Sequence, residues 1–227
     1  MVSPWPTKGL IEIPGGQRES ELDMGRTSDA KEKLLDVAFH LIWDSSYGGV
    51  SVDQICERAK VNKGSFYYYF GSKADLAVAA YEEHWRQKQP EMDRIFSSQV
   101  PALERLTNWC EFAYRFQKEK SVQYGHVCGC PYASIGAEVA TQDDNIRAKA
   151  AELMQRGNKY IESALSDAMR EGEIPVADPK VVAQLVCAFV LGMMLRAKVQ
   201  NDPEVLKNLA PTVMAIIGAK SAVPVAA

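Results

Sequence analysis

The sequence predicts an all-α fold: a short three-helix module near the N-terminal end, followed by a larger helical body. Three observations carry this expectation. From Ser28 onward apolar residues recur at helical spacing in segment after segment, and no segment shows the period-two alternation of a half-buried strand. Helix starts are marked by side chains that can satisfy the first N–H groups: Ser51 with Gln54 and Ser72 with Asp75 in capping-box spacing, and Asp178-Pro179 and Asp202-Pro203 with a cap before a proline. A chain of 227 residues, 47% hydrophobic and 24% charged, also has enough apolar surface to bury a core without disulfides.

Residues 1–25 hold prolines and glycines and no sustained apolar period, so they read as a flexible extension, with Met24 as a plausible second start. The first helix begins near Ser28. It places Leu34, Leu35, Ala38, Phe39 and Ile42 on one face and ends at Ser45, Ser46, Gly48 and Gly49. Ser51 opens a short second helix with Val52, Ile55 and Ala59 turned inward. After a tight turn, Asn62 caps a third helix of barely two turns, Lys63-Gly64-Ser65-Phe66-Tyr67-Tyr68. A fourth helix follows Ser72 and buries Leu76, Ala79, Ala80 and Trp85. Beyond it the pattern predicts helices near 102–120, 143–171, 179–199 and 203–218, with an irregular Gly/Cys/Pro segment at 125–131. The expected units are 1–25 (extension), 26–74 (three-helix module), 75–220 (body) and 221–227 (tail).

The net charge of −3 argues against a general polyanion binder, yet residues 58–73 carry Arg58, Lys60, Lys63 and Lys73 with no acid among them. The densest apolar stretch, Val181 to Val199, is interrupted by Gln184, Gly192, Arg196 and Lys198, so no membrane span is expected. The first residues lack a signal-peptide pattern, and five scattered cysteines fit a reducing compartment, so the expected location is the cytoplasm. No nucleophile elbow, phosphate loop or HExxH motif points to an enzyme.

Two short helices joined by a tight turn, the second basic and tyrosine-rich, are the arrangement that places a recognition helix in the major groove of DNA. The run VSVDQICERAKVNKGSFYYYFGSKADL, Val50 to Leu76, closely resembles the helix-turn-helix of the TetR family, and KLLDVAFHLI before it resembles that family's first helix. GCPYASIGAEVA and REGEIP further along are similar to one TetR subgroup.

The resemblance implies a homodimeric regulator, expected to be a repressor, that binds a palindromic double-stranded DNA operator and is released by a small organic effector. It implies that Asn62 caps the recognition helix and that Lys63, Ser65 and Tyr68 face base edges. Ser51, Tyr67 and Lys73 would hold phosphates, and Gly64 would allow close approach of the backbone. Phe66 and Phe70 are expected to anchor the helix. Two positions depart from the family pattern, which usually has glycine where this chain has Ser46 and Lys60. Both commonly need a left-handed backbone, and Lys60 offers a phosphate contact in return.

The dimer seam is expected on the last two helices, through Val182, Leu185, Val186, Phe189, Val190, Met193 and Met194 and through Val205, Leu206, Leu209, Val213 and Ile217. Trp85, Trp109, Phe112, Phe116, Tyr132 and Tyr160 are the expected lining of a pocket for a flat apolar effector. No cofactor is expected. For His126, Cys128 and Cys130 three readings stay open: plain packing at a helix start, thiol sensing of oxidants or electrophiles, and a metal site. The last lacks a fourth ligand and a second cluster, so no metal is expected. A helical small-molecule binder without DNA activity is the alternative from another class.

Overall fold

The computed structural model describes the backbone of residues 19–220 and the side chains from Asp29 onward. Its order is α1 (Glu19–Asp44), α2 (Val52–Ala59), α3 (Lys63–Tyr69), α4 (Lys73–Ile95), α5 (Ala102–Tyr124), α6 (Pro131–Val139), α7 (Asp144–Arg170), α8 (Pro179–Gln200), a 3₁₀ turn (Pro203–Leu206) and α9 (Leu209–Ile216). No strand occurs among the described residues.

The expected caps form. Ser51 and Gln54 make a reciprocal box at α2, and Asn62 accepts from the Ser65 N–H at α3. Ser72 accepts from the Asp75 N–H at α4, although the Asp75 carboxylate there meets the Ser72 hydroxyl and not its backbone. Asp143, Asp178 and Asp202 cap α7, α8 and the 3₁₀ turn.

Three boundaries differ from the sequence expectation. The first helix starts at Glu19 and not at Ser28. Glu19, Glu21, Leu22, Met24 and Arg26 are good helix formers, and a helix nucleated by its packed half extends cheaply through such residues. The second difference is α6, unassigned in the sequence, where Pro131 occupies the first helical position and pre-sets its φ. The third is the stretch 203–218, which divides into the 3₁₀ turn and α9. The expected extension up to residue 18 and the tail at 221–227 lie outside the described residues.

The head, α1 to α3, packs on the first half of α4 through Leu34, Ala38, Phe39, Ile55, Phe66 and Leu76. That core continues through Trp85 and Cys128 to Ile135 on α6 and Leu153 on α7. A second core of α5, α7, α8 and α9 holds Leu106, Ile161, Leu165, Val186 and Leu209. At its edge Arg105 is buried, donating to Asp167 at 2.6 Å and to the carbonyls of Val100 and Ser98.

The expected seam is largely internal: Val186, Val190, Leu206, Leu209, Val213 and Ile217 are buried within the chain. Their stripes meet α5 and α7 first. The face of α8 left open carries Val181, Leu185, Ala188, Leu195 and Val199, of which only Leu185 belonged to the expected set. With this face uncovered, α8 is the one described helix long and apolar enough, by length and composition, to cross a membrane.

Candidate nucleic-acid interface and ligand cavity

The turn between α2 and α3 is three residues, Lys60, Val61 and Asn62. Lys60 adopts φ 56° and ψ 41°, and its N–H and that of Val61 close the end of α2 on Glu57 and Cys56. The left-handed backbone expected there is thus carried by a lysine, at a cost of about 1 kcal/mol relative to glycine. Ser46 behaves differently. It avoids positive φ, and its hydroxyl instead accepts from the Gly49 N–H at 2.9 Å.

Phe66 is fully buried and Phe70 nearly so, and these two rings set the roll of α3. The opposite face then presents Tyr67 and Tyr68 to solvent at 60% and 77% exposure, beside exposed Lys63 and half-buried Ser65. Gly64 has a local reason as well as its expected one: a Cβ there would meet the Asn62 cap oxygen at 3.2 Å. Lys63 pairs with Asp53 of α2 at 2.7 Å, both side chains more than half exposed, and this partner holds its ammonium above the ordinary lysine range. Such a pair gives way readily to a stronger anion. The Ser51 hydroxyl caps α2 as an acceptor and keeps its O–H for an outside oxygen.

Lys73 is engaged within the head. Its ammonium donates to the carbonyls of Tyr47 and Val50, each at 2.9 Å, and lies 4.1 Å from the centre of the Tyr47 ring. Two of its three N–H groups are used inside the head because α4 starts directly beneath the α1–α2 loop. Glu138 of α6, which the sequence did not single out, holds the same loop from the body side. Its carboxylate accepts from the N–H groups of Tyr47 at 2.8 Å and Gly48 at 2.7 Å. Trp43 adds a third tie, donating to the Gly129 carbonyl at 3.1 Å, an oxygen that also accepts from Gln117. No local pattern announces these partners, which lie about 90 residues apart in sequence.

Behind the head two adjoining cavities share Trp85. The inner one, about 160 Å³, is walled by Trp85, Trp109, Tyr132, Leu153, Ile161 and Met194, with the thiols of Cys130 and Cys187 in its lining. The outer one, about 520 Å³ and open to solvent, is bordered by Tyr160, Phe96, Arg156 and Lys159. Of the aromatic residues expected around one pocket, Trp85, Trp109 and Tyr132 line the inner cavity, and Tyr160 lines the outer one with Trp85.

Phe112 and Phe116 line neither cavity. They continue the Trp109 stripe of α5 about 4.5 and 10 Å further along the axis, where Phe116 stacks on Trp43 at 5.6 Å and Phe112 on Phe116. His84 sits beside the inner cavity, stacked on Phe39 and hydrogen-bonded to the Tyr132 hydroxyl at 2.9 Å. Burial lowers its pKa to about 3, so it is neutral at physiological pH. Burial raises Cys128 to about 11 and Cys187 to about 12, and holds Cys130 protonated although the first N–H groups of α6 favour its thiolate. Protonated thiols are weak nucleophiles, which weighs against the thiol-sensing reading.

Two family models match the chain. Residues 34–80 fit "Bacterial regulatory proteins, tetR family", and residues 102–213 fit "Tetracyclin repressor-like, C-terminal domain". An uncharacterized HTH-type transcriptional regulator in the lacX 3' region of Lactococcus lactis is 28% identical over 184 residues, covering 79% of this chain and 89% of that protein. The HTH-type transcriptional repressor NemR of Escherichia coli is 27% identical over 195 residues, covering 83% of this chain and 94% of its own length. The crystal structure of a regulatory protein TetR from Rhodobacter sphaeroides superposes with a TM-score of 0.73 at 26% identity, over 82% of this chain and 98% of that one.

Proposed function

This chain belongs to the TetR family of bacterial regulatory proteins, and we propose that it is a repressor that grips a palindromic operator as a homodimer and lets go when a small apolar molecule fills the cavity behind Trp85. That it is a DNA-binding transcriptional regulator follows from the family. The observation supporting the finer reading is the orientation of α3: Phe66 and Phe70 hold its inner face, and Lys63, Ser65 and Tyr68 stand outside it, unshielded by the body.

Lys63 donates to guanine O6 or N7, Ser65 reads either edge, and the Tyr68 ring lies against a thymine methyl. Ser51, Lys60 and Tyr67 serve phosphates. One such helix reads a half-site. Two reach successive major-groove faces when their centres stand about 34–36 Å apart.

A dimer needs a seam, and the open face of α8 supplies one. Val181, Leu185, Ala188, Gly192, Leu195 and Val199 alternate steps of four and three, the spacing that keeps one stripe facing a partner helix. Gly192 lies mid-stripe, and an added Cβ there meets nothing within 4 Å in the single chain. The proposed seam thus runs along the outer side of α8.

Effector action is proposed through α4, which starts under the reading head at Lys73 and lines the inner cavity with Trp85 and Met92. A ligand that fits better when α4 is displaced spreads the heads, and a differential affinity of a few kcal/mol suffices to shift the population.

The test is selection of binding sites from random duplex DNA, followed by competition. Wild-type protein is expected to select a two-fold symmetric site, and Lys63→Ala with Tyr68→Ala to lose discrimination while keeping the thermal midpoint and the dimer. Gly192→Leu is expected to give a well-folded monomer that binds the site at least tenfold more weakly. Selection of an asymmetric site, or a Gly192→Leu protein that remains a dimer, overturns the proposed assembly.

A further inference from the structure

The segment between α5 and α6 carries side chains that neither the reading surface nor the cavities use. Gly125, at φ 80°, ends α5, and the chain then runs without helical turns to Cys130. Val127 is turned into the core of the body and Cys128 into the core shared with the head. The segment is held rigidly: the Val127 N–H donates to Asn201 Oδ1 at 2.9 Å, and Gly129 exchanges hydrogen bonds with Gln117 in both directions. His126 is thereby set against Asp44, the last residue of α1, with Nε2 3.0 Å from its carbonyl oxygen and 3.5 Å from Oδ1. The donor atoms of Asp44, His126 and Cys128 all lie within 4.8 Å of one another.

We infer that Asp44, His126 and Cys128 form a binding site for a divalent ion of the zinc type, which ties the end of α1 to the body. The donor set is one carboxylate, one imidazole and one thiolate, a combination that suits a borderline acid such as zinc and not calcium or magnesium. A four-coordinate ion with bonds of about 2.0–2.3 Å separates its ligands by roughly 3.3–3.8 Å, so side-chain rotations closing each gap by at most about 1.5 Å complete the site.

Charge balances as well. On uptake Cys128 loses its proton to solvent, and thiolate plus carboxylate neutralise the ion, with His126 neutral. The Asp44 and His126 side chains are 37% and 41% exposed, which leaves an entry path and a fourth position for water. Before uptake, burial and the Asp44 carboxylate hold the Cys128 thiol protonated, against the weaker pull of Lys198 of α8 and Lys120 of α5. Their charge also opposes a cation, so binding is weaker than at a closed four-ligand site.

The sequence shows only His126 and Cys128 together. Asp44 arrives from 82 residues upstream, one residue past Trp43, which already bonds the same segment. Because Asp44 directly precedes the loop into the reading helices, an ion there holds the head in the orientation seen here.

The test uses the full chain, reduced and metal-free, titrated under argon with Co²⁺ as the probe. One equivalent per chain is expected, with a sulfur-to-cobalt charge-transfer band in the near ultraviolet and strong four-coordinate bands in the visible, both removed by Zn²⁺. His126→Gln and Asp44→Asn, at half-exposed positions, are each expected to weaken binding at least tenfold, and Cys130→Ser to leave the spectrum unchanged. Zn²⁺ is expected to raise the thermal midpoint of the wild type and not of His126→Gln. Absence of a charge-transfer band, a band untouched by both His126→Gln and Asp44→Asn, or a band lost in Cys130→Ser overturns the site.

Discussion

The reading head and the body are held by contacts of very different reach along the chain. In the head, Ser51 meets Gln54, Asn62 meets Ser65 and Ser72 meets Asp75, each pair three residues apart. In the body and at the joint, Arg105 meets Asp167 across 62 residues, Trp43 meets Gly129 across 86 and Tyr47 meets Glu138 across 91. The seven-residue α3 cannot stand alone, and its short-range caps set its ends while Phe66 and Phe70 set its roll. The body has local caps too, at Asp143, Asp178 and Asp202, but its helices are joined by long-range packing. Its function depends on which faces meet, and only the assembled chain decides that.

Six substitutions break or sharpen this contrast, taken from the largest expected effect to the smallest, with Tyr68→Ala as the control for the first. Phe66→Ala removes a fully buried ring from the head and is expected to cost about 3–5 kcal/mol in denaturant unfolding and to abolish DNA binding. Tyr68→Ala two residues away leaves stability unchanged, so equal losses at both positions would show that the two faces of α3 were misassigned.

Arg105→Ala tests the body. It strands Asp167 with Arg170 alone and is expected to cost about 3 kcal/mol near neutral pH. The hydrogen bond from Arg105 holds the Asp167 carboxyl below its ordinary range. A depressed acid contributes stability above its unfolded pKa and loses it as pH falls through the folded one. The gap between wild type and Arg105→Ala, read from urea melts, should therefore narrow below about pH 4. A gap independent of pH down to 3 would remove the ion pair as its cause.

Glu138→Gln tests the joint. Weaker acceptance from Tyr47 and Gly48 is expected to cost about 1 kcal/mol and to speed hydrogen exchange at those two amides, with the amides of α3 unaffected.

Lys60→Gly relieves the left-handed strain and is expected to stabilise by about 1 kcal/mol while lowering the salt slope of DNA binding by about one per chain. Lys73→Ala should weaken binding to all sequences with the slope unchanged, since its ammonium is engaged with Tyr47 and Val50. A lowered slope in Lys73→Ala would return it to the phosphate role that the sequence suggested.

These outcomes follow the line between what was legible and what was not. Caps and helix order in the head were readable because each rests on neighbours within about four residues, whereas the anchoring of α3 by Phe66 and Phe70 and the left-handed backbone at Lys60 were expected only from the family resemblance, whose matching expectation at Ser46 is not met. The start of α1 lies earlier than expected because Glu19 to Arg26 has helix propensity without an apolar stripe, and α6 went unassigned because its nine residues are too few to set a clear helical period between the irregular segment and the next long helix. Phe112 and Phe116 share the Trp109 stripe, and nothing in a stripe says which neighbour covers each turn of it.

By itself, then, the sequence determined an all-α chain, the order and caps of the short helices in the head, and the aromatic stripes of the body. Tertiary structure alone decided which side of α8 stays open, that Lys73 turns inward, that Glu138 clamps the head and that Asp44 meets His126 and Cys128. The physical reason is the range of the forces: hydrogen bonds at helix ends are satisfied locally, whereas burial is shared among elements, so its partners exist only once the chain has folded.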